Sequence, residues 1–397
     1  MTDGETMEAT TAPAPQQTGQ DKFPTWKIAG HKAADEVSTT VAQKLGTVTQ
    51  LFSNAIADSN FLRAAFGNLW FIMPIVGVVI GIAAIKNTGG AMLPPSTGLF
   101  IALVVIGIID SVAGLLAFLV FSVVSAVSGN VRNLNELATV FVFGVLWFGA
   151  AELVHRIRPI TLAGEGEATS EKWWRWLSYF AVLPILTGFI LKEVTSVLPW
   201  VTSYQVPIAK HELLVGWVGA AVMFGRAVLK TVVLHNYRGR MAAIVIPEIR
   251  ERSKVESVIA LFLRAFVVYA VIWTFLGNRW QTFVTLALFL SFEPILWLGR
   301  RFPESTLIHR IVPKSLAKLL AIVLVGQLLL ISLQNTYPNR TELMGWAFVL
   351  LGSFAVILLI LEQFKGKDWP SNWSSRILGI LVALVFVAVV QGWISIA

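Results

Sequence analysis

Long apolar runs separated by short charged stretches divide most of this chain. They fall at about 65–86, 97–128, 137–154, 177–198, 212–234, 257–276, 280–298, 315–334, 342–363 and 377–396. A helix of about twenty apolar residues crosses roughly 30 Å of hydrocarbon. The pattern therefore predicts an all-α, polytopic integral membrane bundle of about ten transmembrane helices. The second run, 97–128, is the longest and holds Gly107, Asp110 and Gly114. It is expected to be strongly tilted, or broken near Asp110.

The pattern before these runs is different. Residues 1–32 are rich in Thr, Ala, Pro, Gln and acid, a composition that predicts a disordered tail. Within 33–62, Val37, Val41, Leu45, Val48, Phe52 and Ile56 recur every three or four positions. That stripe predicts an amphipathic helix lying on the membrane or on its own bundle, with 33–58 as the segment for any protein partner. The transmembrane domain is expected over 63–397. No apolar stretch follows a basic start in the first sixty residues, so no cleavable signal peptide is predicted.

Several runs pair into similar hairpins. Residues 117–133 lead into a run ending "AELVHRIRP", 265–280 into "FEPILWLGRRFP", and a third pair joined by "NTYPNRTE" ends "LEQFKGKDWP". Each second helix closes on a glutamate, a basic cluster and a proline, which reads as a repeat of helical hairpins. Glu152, Glu293 and Glu362 are secondary site candidates. They fit better as helix-end punctuation, paired with a cation one or two turns further on.

Basic residues set an orientation. Arg156, Arg158, Lys172 and Arg175 follow the third run, and the loops after the fifth, seventh and ninth are similarly rich. The opposite loops carry only Arg132, Lys210, Arg279 and Arg340. The basic side is expected to be cytoplasmic, in the cell membrane. Ten crossings would then put both termini outside. That conflicts with Lys22, Lys27, Lys32, Lys44 and Arg63, which favour the cytoplasm. Either the first run is re-entrant or the second is not a single crossing.

Composition adds little to this. Only 14% of residues are charged, against about 25% in an average soluble domain, and the net charge of +8 belongs to the loops. No nucleic-acid partner is expected; the bilayer itself is the expected partner. Without cysteine there are no disulfides or thiolate metal sites.

Asp110 is the leading site candidate. No other ionisable residue lies between Lys86 and Arg132. A carboxylate so placed is costly in hydrocarbon unless it meets protein, water or a cation. Arg226 and Lys230, four apart, share a helix face. Arg264 is placed similarly in its own run. Snorkelling along their stems to the interface accounts for these three; together they could instead form an anion or headgroup site, or supply the partner for Asp110. No Walker loop, HExxH, paired-aspartate metal motif or GxSxG occurs. No metal and no cofactor are expected, and the missing motifs weigh against an enzyme.

These residues fit a transporter or permease-like protein moving an ion or small solute, with Asp110 as the protonatable or ion-coordinating group. A non-catalytic scaffold or assembly subunit is the alternative. An intramembrane enzyme acting on lipid or lipid-linked sugar is the third reading.

Overall fold

The computed structural model describes residues 32–46, 50–157, 160–161, 169–204, 206–244, 254–299, 302–305, 315–337 and 339–364. The expected tail over 1–31, the run 377–396 and the loop cations Arg158, Arg250, Arg252, Arg300, Arg301, Arg310, Lys314, Lys365, Lys367 and Arg376 lie outside them.

The described chain is all-helical. The amphipathic segment forms α1 (Lys32–Gly46), α2 (Gln50–Asp58) and α3 (Asn60–Phe66). A 3-10 turn, Gly67–Phe71, joins α3 to α4 (Ile72–Thr88). Then come α5 (Thr97–Ile109), α6 (Ser111–Val127), α7 (Leu134–Gly144), α8 (Ala150–Ile157), α9 (Thr169–Leu177), α10 (Leu183–Ser196) and α11 (Leu198–Thr202). The chain continues as α12 (Glu212–Asn236), α13 (Arg238–Ala243), α14 (Lys254–Leu276), α15 (Trp280–Leu290) and α16 (Phe292–Gly299). It ends, within the described residues, in α17 (Ser315–Thr336) and α18 (Arg340–Glu362). Single π turns at Val145–Gly149 and Ser178–Val182 join α7 to α8 and α9 to α10. Such insertions are rare in helices and concentrate near working sites.

Among the described residues five stretches are long and apolar enough to cross a membrane: Asn60–Thr88, Leu134–Val154, Lys172–Thr202, Pro207–Asn236 and Arg340–Glu362. The face of α4 bearing Ile72, Ile75 and Val79 is exposed, the surface a helix offers to lipid.

The expected single run 97–128 is two helices, and the reason is Asp110. Its backbone is extended (φ −134°, ψ 107°), and its carboxylate accepts from the Val112 amide at 2.9 Å. It therefore caps α6 in the manner that favours aspartate at a helix start over a helix interior. The chain folds back there. Gly77 lies against the Ala113 backbone and Gly81 against Ala117, so α4 and α6 run parallel. At the far end Asn130 donates to the Gly90 carbonyl at 2.8 Å. The short link 89–96 can only return α5 downward, antiparallel to both, and Gly107 then faces Gly114 across the apex. At 1.5 Å per residue α5 is about 20 Å long. The pair is a helical V whose two open ends lie together beside the end of α4.

The core surrounds this V. Phe143 and Trp147 stack with centroids 4.9 Å apart, and Phe121 meets Trp147 edge-on at 5.2 Å. The carbonyl of Trp147, inside the first π turn, packs into the notch between Gly107 and Gly114. Behind it α10 and α12 run antiparallel, Gly188 touching Gly216 and Ala220. The stripe of α1 and α2 is taken up in part: Ile56 is buried and Val41 and Phe52 are partly buried against the chain's own helices, while Val37 is 45% exposed.

Candidate functional site

The site begins with two Asp-Ser pairs, "IADSN" at 56–60 and "IIDSV" at 108–112. The first makes the turn between α2 and α3, the second the apex of the V. They are cross-linked reciprocally. Ser59 Oγ donates to Asp110 Oδ1 at 2.5 Å, and Ser111 Oγ donates to Asp58 Oδ2 at 2.5 Å. Each aspartate therefore holds the serine of the other turn. A hydroxyl donating to a carboxylate makes a charge-assisted hydrogen bond.

Asp110 is fully buried and both its oxygens are engaged: Trp70 Nε1 donates to Oδ2 at 3.0 Å, Ser59 and Val112 to Oδ1. It faces neither lipid nor an open cavity. It is held by donors from three elements, and that fixes the apex in place.

The charged pairing belongs to Asp58. Arg226 Nη2 bonds Asp58 Oδ2, and Lys230 Nζ lies 3.8 Å from Asp58 Oδ1. Arg226 Nη1 also donates to the Ile108 carbonyl at 2.7 Å, one of the carbonyls left open where α5 ends. The side chains of Asp58, Arg226 and Lys230 are 1%, 2% and 9% exposed, so neither cation reaches out along its stem to the interface. Phe61 lies beneath both, 5.7 Å from each charged group. Glu152 of α8 is buried within electrostatic reach of Lys230 and joins this cluster; it is not an exposed helix-end marker.

A third cation closes the other side. Arg63 of α3 is 2% exposed and donates to Ser38 of α1 and to Asn60. Its guanidinium lies 5.8 Å from the Trp70 ring whose indole N–H holds Asp110. Arg240 of α13 pairs with Asp35 of α1 at 2.7 Å. The N-terminal helices thus close over the apex as a polar lid tied down at both ends.

Of the four leading sequence candidates, three converge: Asp110, Arg226 and Lys230. Arg264 does not. It is half exposed and pairs with Glu293 at 3.3 Å. Glu362 pairs with Lys318. Among the described residues these two glutamates meet cations on neighbouring helices, as packed helical hairpins allow; the basic residues one or two turns on lie outside the described residues.

Asp58, Ser59, Arg63 and Trp70 were missed. The one signal available was the repeated Asp-Ser pair, each preceded by an apolar run. Among the described residues no three His, Asp or Glu side chains gather at metal-holding distance. No family model, curated protein or solved structure matches this chain.

Proposed function

We propose that this chain is a multi-pass membrane transport protein moving an ion or small solute, gated at the apex of the α5–α6 V. The observation that carries the reading is the buried Asp58–Arg226–Lys230 cluster locked to that apex through the Ser59/Ser111 exchange. Ionisable groups held inside a membrane domain mark ion or solute pathways by default, and broken helices with polar apices recur at transport sites. A proton or cation reaching Asp58 weakens its hold on Arg226 and Lys230 together. It also removes an acceptor from Ser111, so the apex loosens at the moment the charge changes. Asp110 becomes the positioning residue and Asp58 the exchangeable charge, which relocates the coupling role within one hydrogen-bonded unit.

The scaffold reading gains less from the geometry, since Val41, Phe52 and Ile56 of the stripe in 33–58 pack on the chain's own core and leave Val37 exposed. The enzyme reading asks for an accessible acid at headgroup depth, and Asp58 and Asp110 are enclosed.

Sidedness follows from the V. If α5 and α6 enter and leave on one side, the cations of 32–63 fall on the same face as those after α8, α12, α16 and α18. The conflict in the positive-inside pattern then disappears. In this reading the described helices make eight passes (α3–α4, α7–α8, α9–α10, α12, α14, α15–α16, α17, α18), with the V re-entrant between the first two. The basic face is cytoplasmic in this reading, in the cell membrane. The cysteine-free chain allows a direct check with single cysteines and an impermeant maleimide. Cysteines at Ser96 and Gly129 are expected to label from the same, outer side, and cysteines at Glu36 and Arg238 from the inner side. Labelling of 96 and 129 from opposite sides would remove the re-entrant V.

Flux tests the function itself. Proteoliposomes loaded with a pH-sensitive dye are offered inorganic cations, anions, amino acids and small organic acids in turn. At least one is expected to produce a solute-dependent pH change absent from empty vesicles. Asp58→Asn and Ser111→Ala should abolish it, while Glu293→Gln, in the exposed pair, leaves it intact. No response to any class would end the transport reading.

A further inference from the structure

At the opposite end of the bundle from Asp58, two helical hairpins present their turns together. Trp280 opens α15, and Glu342 and Trp346 lie in the first turns of α18. Between them is an open cavity of about 530 Å³ lined by Asn278, Arg279, Trp280, Gln281, Glu342 and Trp346. Tryptophan at a bilayer interface needs no special explanation. Three other features of this cavity do.

The first is a buried acceptor with nothing to accept. Gln281 is 6% exposed, and its Oε1 has no hydrogen-bond partner, although the residue lines the cavity. An unmet buried carbonyl costs more than a typical hydrogen bond contributes, so such a group marks a missing donor. The second is an ion pair left open: Arg279 Nη1 and Glu342 Oε1 stand 4.0 Å apart, both half exposed. The third is the aromatic corner. Trp280 and Trp346 meet at 77° with centroids 5.5 Å apart, and Tyr337 stacks behind Trp346. Two rings at right angles offer two π faces to one cation. Arg340 lies 3.6 Å from the Trp200 ring, a contact that joins the start of α18 to α11 beside this corner.

We propose that this cavity binds a zwitterion carrying a primary ammonium and a phosphate or carboxylate. The ammonium sits in the aromatic corner, donating one N–H to Gln281 Oε1 and another to Glu342. The anionic group takes Arg279, which the ligand separates from its loose partner. A quaternary ammonium satisfies the rings but has no N–H for Gln281, so the site discriminates by methylation. The same chemistry occurs in an ethanolamine lipid headgroup and in its soluble counterpart.

The test uses the full chain in detergent. Binding of short-chain phosphatidylethanolamine and phosphatidylcholine is compared by native mass spectrometry, and O-phosphoethanolamine and phosphocholine by calorimetry. The primary ammonium is expected to bind about tenfold tighter than the quaternary one, the effect of one buried hydrogen bond. Gln281→Met, nearly isosteric but without the acceptor, and Glu342→Gln, exposed and safe for folding, should each remove that preference. Discrimination between the soluble probes identifies a free solute as occupant; discrimination between the lipids alone identifies the headgroup. Equal binding of both ammonium types, binding of neither, or a preference that survives Gln281→Met overturns the proposal.

Discussion

Replacing Asp58 with alanine is expected to lower stability by about 3–5 kcal/mol, enough to unfold the N-terminal half of the bundle in detergent. The size follows from what stays behind. Arg226 and Lys230 are both almost fully enclosed and Asp58 bridges them, so its removal takes the shared counter-charge from two cations over Phe61 and leaves Glu152 within reach of Lys230. Ser111 loses its acceptor in the same step. The exposed pair Lys318–Glu362 provides the scale. Its members are 24% and 37% exposed, and Glu362→Gln should cost no more than about 1 kcal/mol. Tryptophan fluorescence on heating measures both. The reciprocal design separates charge from packing. Adding Arg226→Met and Lys230→Met to Asp58→Ala removes the stranded cations and is expected to recover most of the loss, because apolar replacements of buried ion clusters are often neutral. An Asp58→Ala protein that melts with the wild type would mean the cluster is not the seam that holds α2, α5, α6 and α12 together. The gating role proposed for it would then have no mechanical basis.

How far the sequence foretold this site depends on what hydropathy registers. Asp110 was conspicuous because nothing charged surrounds it, and the break there followed from an acid that a helix interior tolerates poorly and a helix start welcomes. Arg226 and Lys230 were legible as a pair from their spacing alone. Asp58 was not. It sits among Asn54, Ser59 and Asn60 in a segment whose polarity reads as an interfacial face, and periodicity reports which side of a helix is buried without naming what covers it. The covering element is the apex of the V, fifty residues on. Arg264 failed for the opposite reason. Its run is as apolar as that of Arg226, but its helix face is exposed and finds Glu293 there.

The orientation conflict is the plainest case of a fold visible only in part. Loop charges for the later helices agreed with each other, and those near the N-terminus disagreed. In the re-entrant reading proposed above both counts are sound, and 97–128 is not a crossing. A single residue in an extended conformation, capped by its own side chain, then changes the parity of every element before it. Hydropathy averages over such a residue because its neighbours, Ile108, Ile109 and Val112, are as apolar as any in the chain.

Because the V closes on so little side chain, its apex is where a methyl group should have a large effect. Gly107→Ala is expected to destabilise the protein by about 3 kcal/mol, the upper part of the range for overpacking. A Cβ there would overlap the carbonyl oxygen and carbon of Trp147. Those are main-chain atoms inside a π turn, so no rotamer change relieves the clash. The helix would have to move, and with it the Phe143–Trp147 stack that fills the core. Gly225 is the contrast within the same bundle: nothing lies within 4 Å of its added Cβ. Gly225→Ala should be neutral, or stabilising by up to about 1 kcal/mol through helix propensity. The two substitutions add the same methyl to apolar helices, so hydropathy and insertion energy cancel between them. What remains is the geometry of the apex. If both variants melt together, α5 and α6 do not fold back on each other at Asp110, and the site built on that reversal fails with it.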